Sequence, residues 1–255
     1  MKIIKLEEVN ILRQVRFLCS GESAVTVEFG NIISPEINLQ VRQLSINLKE
    51  NPIDGVVETI PTFRSLLVIY NPCKITYKNL IKKLNKYLKF NKKEINDISK
   101  VYHVPVCYGG KYGEDLKAVS SHTGLSVNEV IKRHTGTDYL IYMMGFLPGF
   151  AYLGGLDEQL ITPRLETPRK EIPAGSVGIG GEQTGIYPMV SPGGWRLIGR
   201  TPIKPYDINR ENTVLYRTGD YIRFYSIDEN EYNKILSEIE AGTYKYEITE
   251  KEVGR

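Results

Sequence analysis

The residues with the greatest capacity for chemistry lie in a glycine-dense tract from Gly136 to Gly199. An arginine keeps its proton and presents a planar fork of donors that matches a carboxylate or a phosphate. Guanidinium groups that stand among aromatic, amide and hydroxyl side chains therefore predict a pocket for a small anionic substrate. The expected substrate-binding residues are Tyr152, Arg164, Arg169, Gln183, Thr184, Tyr187, Trp195 and Arg200.

Glycines of the same tract add a second way to hold an anion. Without a side chain, Gly178, Gly180 and Gly181 let backbone N–H groups approach an anion closely, so we expect them to bind a cofactor. The opposite interpretation is that the arginines are rim residues and the glycines only shape turns. Spacing alone leaves both interpretations open.

Familiar nucleotide-binding signatures fail in this tract. Gly180 and Gly185 have the spacing of a phosphate-binding loop, but Ile186 and Tyr187 follow where lysine and a hydroxyl residue are required. A dinucleotide fingerprint fails because Gln183 occupies the place of its third glycine. The chain therefore carries no complete nucleotide site that its sequence alone identifies.

Nucleophile and metal signatures are equally weak. Ser176 resembles the serine of a nucleophile elbow, but Ala174 replaces the first glycine of that motif. His122 and His134 each stand near a predicted helix end, where the helix dipole favours an imidazolium. No two histidines are three or four residues apart, so we expect no metal site.

The elements that must position these residues change character along the chain. Ala24–Phe29 and Ser65–Tyr70 have strand patterns, and apolar spacing after Pro35 predicts a helix between them. These elements favour an α+β unit at residues 1–92. A polar stretch at 91–100 predicts a linker before the second domain, which we place at residues 100–255.

The second domain is predicted to be a β-barrel, because dense glycine favours short strands and tight turns. A strand is expected before the tract, followed by two short helices, of which the second has Ser126 as N-cap and ends at Gly136 as a C′ glycine. After the tract, residues 214–217 and 221–225 predict a hairpin. A helix at 229–240 and a strand at 244–248 complete the prediction.

Composition restricts the class of protein further. With 41% hydrophobic and 25% charged residues, the chain has the composition of a globular protein. No apolar run approaches the roughly 20 residues of a membrane span, and the first residues lack a signal-peptide core. We therefore expect a cytoplasmic protein with no membrane partner. Cys19, Cys73 and Cys107 form no C-x-x-C pair and are expected to be reduced.

Lysines crowd the segment from Lys74 to Lys93, as they would in a nucleic-acid interface. They alternate at helical spacing with the apolar residues Leu80, Ile81, Leu84 and Leu88. A helix with one apolar stripe and a solvated opposite face explains this pattern. We therefore expect no nucleic-acid partner.

Four long blocks occur in fixed order at residues 145–155, 173–181, 183–188 and 192–202. Together they closely resemble the KipI and allophanate hydrolase subunit 1 family, and a weaker likeness extends to residues 21–24 and 108–113. The resemblance implies a small α+β N-terminal domain followed by a cyclophilin-like β-barrel domain. Four blocks in order are much more specific than any short motif.

The resemblance also implies an activity and two partners. Members of the family typically pair with a homologous C-type subunit, of the allophanate hydrolase subunit 2 type, and with a LamB/YcsF-type protein as the third component. Such complexes hydrolyse 5-oxoproline to glutamate using ATP, and a partner chain would complete the ATP site. Our hypothesis is that Arg164, Arg169 and Arg200 bind the substrate carboxylate or the phosphoryl group, while Gln183 and Tyr187 orient the ring.

Two other functions remain open within the same family. One is a binding module that inhibits a sporulation histidine kinase, and the other is an allophanate hydrolase or urea carboxylase-type carboxyltransferase subunit. The carboxyltransferase would require biotin from another chain, because this chain has no Met-Lys-Met biotin site. Prolyl isomerisation follows from the barrel alone, and a fold does not fix a function.

Overall fold

A computed structural model describes residues 15–88 and 97–253, which form two compact units. Much of the predicted linker at 91–100 lies outside these residues. Its last residues belong to a strand that begins at Asp97, ahead of the predicted domain start at 100.

The first unit is an antiparallel sheet with the strand order β1-β2-β4-β3, together with two helices. Its elements are β1 Arg16–Cys19, β2 Ala24–Glu28, α1 Pro35–Glu50, β3 Val56–Pro61, β4 Ser65–Tyr70 and α2 Tyr77–Tyr87. Inward-facing side chains of the sheet and apolar side chains of both helices form one core cluster. The predicted strands at β2 and β4 are confirmed, whereas the sequence prediction missed β1 and β3.

Both helices of this unit begin at residues that cap them. The Ser34 hydroxyl accepts a hydrogen bond from the Ile37 amide at 3.2 Å, and Pro35 occupies the first turn of α1. Thr76 caps α2 in the same way, and Leu80 and Leu84 are its buried residues. The described lysines of α2 lie on its exposed face, as predicted, while Lys89 and Lys92 lie outside the described residues.

The second unit contains a closed barrel with the strand order β5-β12-β9-β10-β7-β6-β13, in which β12 pairs with β5 and β13 also pairs with β5. Its strands are β5 Asp97–Tyr108, β6 Asp138–Met144, β7 Ala151–Gly154, β8 Arg169–Ile172, β9 Ser176–Gly180, β10 Gln183–Ile186, β11 Ser191–Gly193, β12 Arg196–Arg200, β13 Tyr221–Ile227 and β14 Ile248–Val253. Its helices are α3 Leu116–Thr123, α4 Val127–Thr135 and α5 Glu229–Glu240. The predicted β-barrel is confirmed.

Side chains that point into the barrel form its core. Val177 and Ile179 of β9 and Ala151 and Leu153 of β7 are fully or almost fully buried in this cluster. Because side chains alternate along a strand, the residues between them point to the outer face of the barrel. Two strands lie apart from the barrel as a small antiparallel ribbon, β8 with β11.

The predicted hairpin at 214–225 is wrong. Residues 214–217 form no strand, and β13 instead pairs with β5 in parallel and with β6 in antiparallel fashion. The backbone groups of the intervening turn are used elsewhere, since the Gly219 amide donates to the Ile141 carbonyl at 2.9 Å. The buried Asp220 carboxylate also accepts from the amides of Lys100 and Arg217, both at 3.2 Å.

Two smaller predictions also need correction. Helix α4 has the predicted cap, with the Ser126 hydroxyl accepting from the Glu129 amide at 3.2 Å. It ends at Gly136, but this glycine has a φ of −81° and not the left-handed conformation of a C′ glycine. The last strand begins at Ile248, where the predicted strand at 244–248 ends.

Candidate functional site

Four aromatic residues meet on the outer face of the barrel, and we call Phe150, Tyr152, Tyr187 and Trp195 the outer aromatic cluster. Phe150 lies at its centre, with ring centroids 5.1 Å from Tyr152 and 5.7 Å from both Tyr187 and Trp195. All three contacts are edge-to-face, a favourable geometry for aromatic rings. Three of the predicted substrate-binding residues are therefore brought together, but in a packed cluster.

Glycines on the strands below make room for the Trp195 indole. A Cβ at Gly180 would lie 2.3 Å from Cδ1 and Nε1 of Trp195, and one at Gly178 would lie 3.2 Å from the Trp195 Cβ. Gly185 is similar, with the indole Cζ3 3.2 Å from its Cβ position. Gly181 differs, because it has a φ of 67° at the turn between β9 and β10 and nothing near its Cβ position.

The two arginines near this cluster differ in their partners. The exposed Arg164 guanidinium lies 5.8 Å from the centre of the Trp195 ring, a cation–π distance. Arg169 is engaged by two carboxylates, with its Nη2 2.9 Å from Asp115 Oδ2 and its Nε 2.9 Å from Glu114 Oε1. Its Nη1 also donates to the Trp195 carbonyl at 3.3 Å. Arg169 therefore has a structural role, because its donors are bonded to residues of the fold. Arg164, by contrast, is exposed to solvent.

Electrostatics at the cluster favour a neutral phenol. Burial raises the pKa of Tyr187, although the Trp195 backbone and the charges of Arg164 and Arg169 act in the opposite direction. A tyrosine with a raised pKa can donate a hydrogen bond but does not serve as a base near neutral pH.

Gln183 and Arg200, two further predicted residues, lie on strands β10 and β12. The Arg200 guanidinium is 5.8 Å from the Tyr112 ring, beside a separate apolar group that includes Cys107 and Tyr232. Gln183 is half-buried at the start of β10, opposite Gly180 of β9. Arg200 therefore contacts Tyr112, whereas Arg164 contacts Trp195 and Arg169 pairs with Glu114 and Asp115, and a shared anion site for the three remains a prediction.

Thr184 faces the interior of the barrel and is fully buried. Its hydroxyl donates to the Gly178 carbonyl at 3.0 Å, so it accepts from Nε2 of His134 at 2.8 Å. Nδ1 of that ring then carries the lone pair and accepts from the Tyr108 hydroxyl at 2.7 Å. These hydrogen bonds define one neutral tautomer of His134 and leave Thr184 no exposed hydroxyl.

The predicted imidazolium at His134 is wrong. This side chain is fully buried, and burial lowers its pKa from 6.5 to about 3. The ring is stacked on Phe224 with centroids 4.7 Å apart. Desolvation outweighs the helix dipole here, since a charge in this interior would lose its water without gaining a carboxylate partner.

A cavity of about 610 Å³ opens elsewhere on the second unit, and we call it the lateral cavity. One wall is residues 144–149, at the start of the first sequence block, and the other is Val214, Tyr216, Arg217 and Thr218. Its volume falls within the range of small-molecule sites, about 300 to 1,000 Å³. The predicted substrate-binding residues are not among those that line it.

The first wall contains the strained backbone of Phe146. This residue has a φ of 67°, and it is the one non-glycine residue with a positive φ in the described chain. The Leu147 amide donates to the Gly145 carbonyl at 2.8 Å across it, which makes a γ-turn of the rare, strained type. Strain of this kind is concentrated at functional sites, where the surrounding structure maintains it.

The second wall is joined to the first by a buried hydrogen bond. The Tyr216 hydroxyl donates to the Gly149 carbonyl at 3.1 Å, and burial raises the pKa of this tyrosine far above its ordinary value. A Cβ at Gly149 would lie 2.8 Å from the Cβ of Tyr206, and Gly149 has a φ of 80°. Glycine is therefore required at this position of the block by both conformation and space.

The residues of the second wall were not predicted from the sequence, because the predicted site residues all come from the glycine-dense tract and Arg200 beside it. Tyr216, Arg217 and Thr218 follow that tract, at the end of the first strand and the start of the turn of the predicted hairpin. The first wall carried a usable signal, since Gly145 and Gly149 begin a sequence block that has no regular helix or strand pattern.

Other kinds of site are not found in the parts of the chain that the structure describes. Residues 15–88 and 97–253 contain no group of three or more His, Cys, Asp or Glu residues placed to hold a metal. Among the same residues, no helix has the length and apolar character of a membrane span.

These observations define the class of protein. It is a chain of two units, and the second unit contains a glycine-rich closed barrel and a lateral cavity. The family model of the carboxyltransferase domain, subdomain C and D, matches residues 15–216. The chain is 39% identical to the 5-oxoprolinase B subunit of Bacillus subtilis strain 168, over 86% of this chain and 95% of that protein. It belongs to the carboxyltransferase-domain family, and the family membership predicted from the sequence blocks is confirmed.

Solved structures support the fold. TTHA0988 is 34% identical with a TM-score of 0.72, over 80% of this chain and 40% of the TTHA0988 chain. The urea amidolyase of Kluyveromyces lactis has a TM-score of 0.78 at 22% identity, over 93% of this chain and 16% of the enzyme. At that identity the likeness concerns the fold alone.

Proposed function

We propose that this chain is the B-type subunit of a 5-oxoprolinase, which opens 5-oxo-L-proline to L-glutamate at the expense of ATP. The observation that carries the proposal is the relation to the 5-oxoprolinase B subunit of Bacillus subtilis, which extends over 95% of that protein at 39% identity. The lateral cavity supports a small-molecule role, because it combines apolar walls with the exposed Arg217 guanidinium.

The proposed reaction breaks the lactam C–N bond, and the ring nitrogen becomes the α-amine of glutamate. Lactam hydrolysis consumes one water and ATP hydrolysis consumes a second, so the products are L-glutamate, ADP and phosphate. An amide is a poor electrophile, and coupling to ATP supplies the activation that water attack alone lacks. The carboxylate of 5-oxo-L-proline takes no part in this reaction, so it can be bound from substrate to product.

The ATP site is proposed to belong to the complex. The Trp195 indole covers Gly178 and Gly180 on the outer face, whereas nothing lies near the Cβ position of Gly181, so Gly181 keeps its predicted cofactor-binding role in this proposal. The proposed partners are a homologous C-type subunit, of the allophanate hydrolase subunit 2 type, and an A-type subunit of the LamB/YcsF type. Arg164 keeps its predicted anion-binding role in this proposal, since it is exposed; Arg169 is proposed to position Trp195.

The proposal is tested by co-expressing the chain with the two proposed partners and measuring ADP release that depends on 5-oxo-L-proline. We expect turnover from the complete mixture and none when any one of the three chains is omitted. L-glutamate should form in equal amount to ADP. A complete, folded complex that releases no ADP would contradict the proposal, and tight binding to a histidine kinase in its place would favour the inhibitory module.

A second candidate is a role in carboxyl transfer. The matched family model and the fold shared with urea amidolyase favour it. This function requires a carboxybiotin carrier, which is proposed to be another chain. Adding a biotinylated partner, bicarbonate and urea to the same mixture separates the two candidates, because only the carboxyltransferase would depend on biotin.

A further inference from the structure

We infer that the lateral cavity binds the carboxylate of a small cyclic substrate, and that Arg217 is the residue that holds this carboxylate. The inference rests on the proposed function and extends it to a specific site on this chain. The site is the cavity between residues 144–149 and the segment from Val214 to Thr218.

Arg217 is the cationic residue of this cavity, and its guanidinium has few partners among the described residues. Its side chain is 77% exposed, and its one ion pair joins Nε to Asp220 Oδ2 at the long distance of 3.8 Å. In the described residues its two terminal nitrogens make no hydrogen bond. They leave the planar fork free for an incoming carboxylate.

Arg210, on the segment just before, shows what a structural arginine of this region looks like. Its Nε donates to the Asn212 carbonyl at 2.7 Å, and its Nη2 donates to the carbonyls of Pro205 at 3.1 Å and Thr213 at 3.0 Å. Every nitrogen of Arg210 has a partner, because Nη1 also donates to the Lys204 carbonyl at 3.1 Å. Arg217 lacks such a set of hydrogen bonds within the described residues. Structural contacts therefore do not explain why a guanidinium stands at this position.

Backbone donors accompany this cation. Phe146 and Gly149 line the cavity, and their amides make no hydrogen bond within the described residues, whereas those of Gly145, Leu147 and Phe150 are all bonded inside the loop. The γ-turn at Phe146 and the Tyr216 hydrogen bond hold the loop in place before a ligand arrives. A preformed loop loses little conformational entropy when it binds.

The remaining surface suits a compact ring. Met144, Leu147, Pro148 and Val214 provide apolar contact, and the Thr218 hydroxyl is the polar side chain next to Arg217. 5-Oxo-L-proline has two apolar ring methylene groups, a lactam carbonyl with its N–H, and one carboxylate, which matches this distribution. The chemistry of the cavity therefore suits the substrate class that the proposed function requires.

The test measures 5-oxo-L-proline kinetics of the complete complex with Arg217→Gln and Arg217→Lys. We expect the glutamine variant to raise KM by at least about tenfold while kcat changes much less, because the carboxylate is bound equally in the ground and transition states. The lysine variant should lie between, since it keeps the charge but loses the fork. Arg223→Gln is the matched control, as Arg223 pairs with Asp138 at 2.8 Å and does not line the cavity.

Direct binding separates this inference from the proposed function. The full chain, labelled with ¹⁵N, is titrated with 5-oxo-L-proline and with 2-pyrrolidinone, which is the same ring without the carboxylate. Shifts at the Phe146, Gly149 and Thr218 amides that need the carboxylate and vanish in Arg217→Gln support the site, even if the complex shows no turnover. An active complex whose KM is unchanged by Arg217→Gln would overturn the site and leave the proposed function intact.

Discussion

The outer aromatic cluster and the lateral cavity belong to the same unit and to neighbouring stretches of the sequence, but their glycines have different roles. At the cluster, Gly178 and Gly180 remove side chains so that the Trp195 indole can fill the space. At the cavity, Gly145 and Gly149 bound a loop whose shape leaves a space open. A run of glycines is therefore evidence for close approach, and only the structure identifies what approaches.

The arginines of the two regions differ in the same sense. Arg169 at the cluster is matched by Glu114 and Asp115, so its charge is already neutralised. Arg217 at the cavity has one distant carboxylate and remains mostly exposed. The cluster thus combines packed rings with a paired arginine, whereas the cavity keeps an exposed cation, as the proposed binding site requires. Changes at the cluster should then alter stability, and changes at the cavity should alter ligand binding.

The largest expected effect concerns His134 of α4, whose buried ring is hydrogen-bonded to Thr184 of β10. His134 has a pKa of about 3 when folded and 6.5 when unfolded, so the unfolded chain binds more protons between these pH values. Its contribution is complete above pH 6.5 and is lost as the pH falls toward 3, by up to about 5 kcal/mol in the free energy of unfolding. Urea unfolding between pH 7 and 4 should show about 3 kcal/mol of this loss, because the folded-state pKa is reached only near pH 3.

His134→Gln is the matched variant for this prediction. It should be less stable at neutral pH, because Tyr108 and Thr184 lose their partner, but its stability should fall less steeply with acid. An equal slope in both proteins would contradict the assignment of the pH dependence to His134. Ligand binding at Arg217 should not follow this pH dependence, since an arginine keeps its charge throughout.

A second, smaller effect compares one glycine from each region. Gly180→Ala should lower the free energy of unfolding by about 2 kcal/mol, because its Cβ would overlap the Trp195 indole at 2.3 Å. Gly145→Ala is the control, since its Cβ would meet only ordinary contacts, the nearest being Met143 Cε at 3.6 Å. Denaturant unfolding of both variants checks this. Equal losses of unfolding free energy in the two variants would contradict the distinction between a filled cluster and an open cavity.

The smallest expected effect concerns strain at the cavity. Phe146→Asn should raise the free energy of unfolding by about 0.5 to 1 kcal/mol relative to Phe146→Ala, because asparagine tolerates the left-handed conformation that this position requires. The side chain is 61% exposed, so little core packing is lost. Thermal unfolding of the two variants measures the difference, and an alanine variant at least as stable as the asparagine variant would show that the turn stores no strain.

Local patterns predicted much of the architecture. The apolar spacing of Ile37, Val41, Leu44 and Leu48 identified α1, because a helix with one buried face leaves that periodicity in the sequence. The strand at Ser65–Tyr70 and the helix at 229–240 were also predicted at their observed limits. The hairpin at 214–225 failed because its turn resembles a hairpin turn locally, while the partners of β13 are strands β5 and β6, far away in the chain.

The site was harder to predict for the same reason. Residue type identified Arg164, Arg169 and Arg200 as able to bind an anion. It could not show that Arg169 is already paired with Asp115. Burial was equally invisible, since Thr184 and His134 look like surface residues in a glycine-rich sequence until the barrel closes around them. The first of the sequence blocks contains residues 145–149, which form most of one wall of the cavity.

Strand β5 opens the second unit and is flanked along its length by β13, β14 and β12, all of which come later in the chain. During synthesis, therefore, β5 leaves the ribosome long before any of its three neighbours exists. The first unit depends on nearby pairings such as β1 with β2 and β3 with β4, and can form as it emerges. The barrel can therefore close only after β12 and β13 have been synthesised.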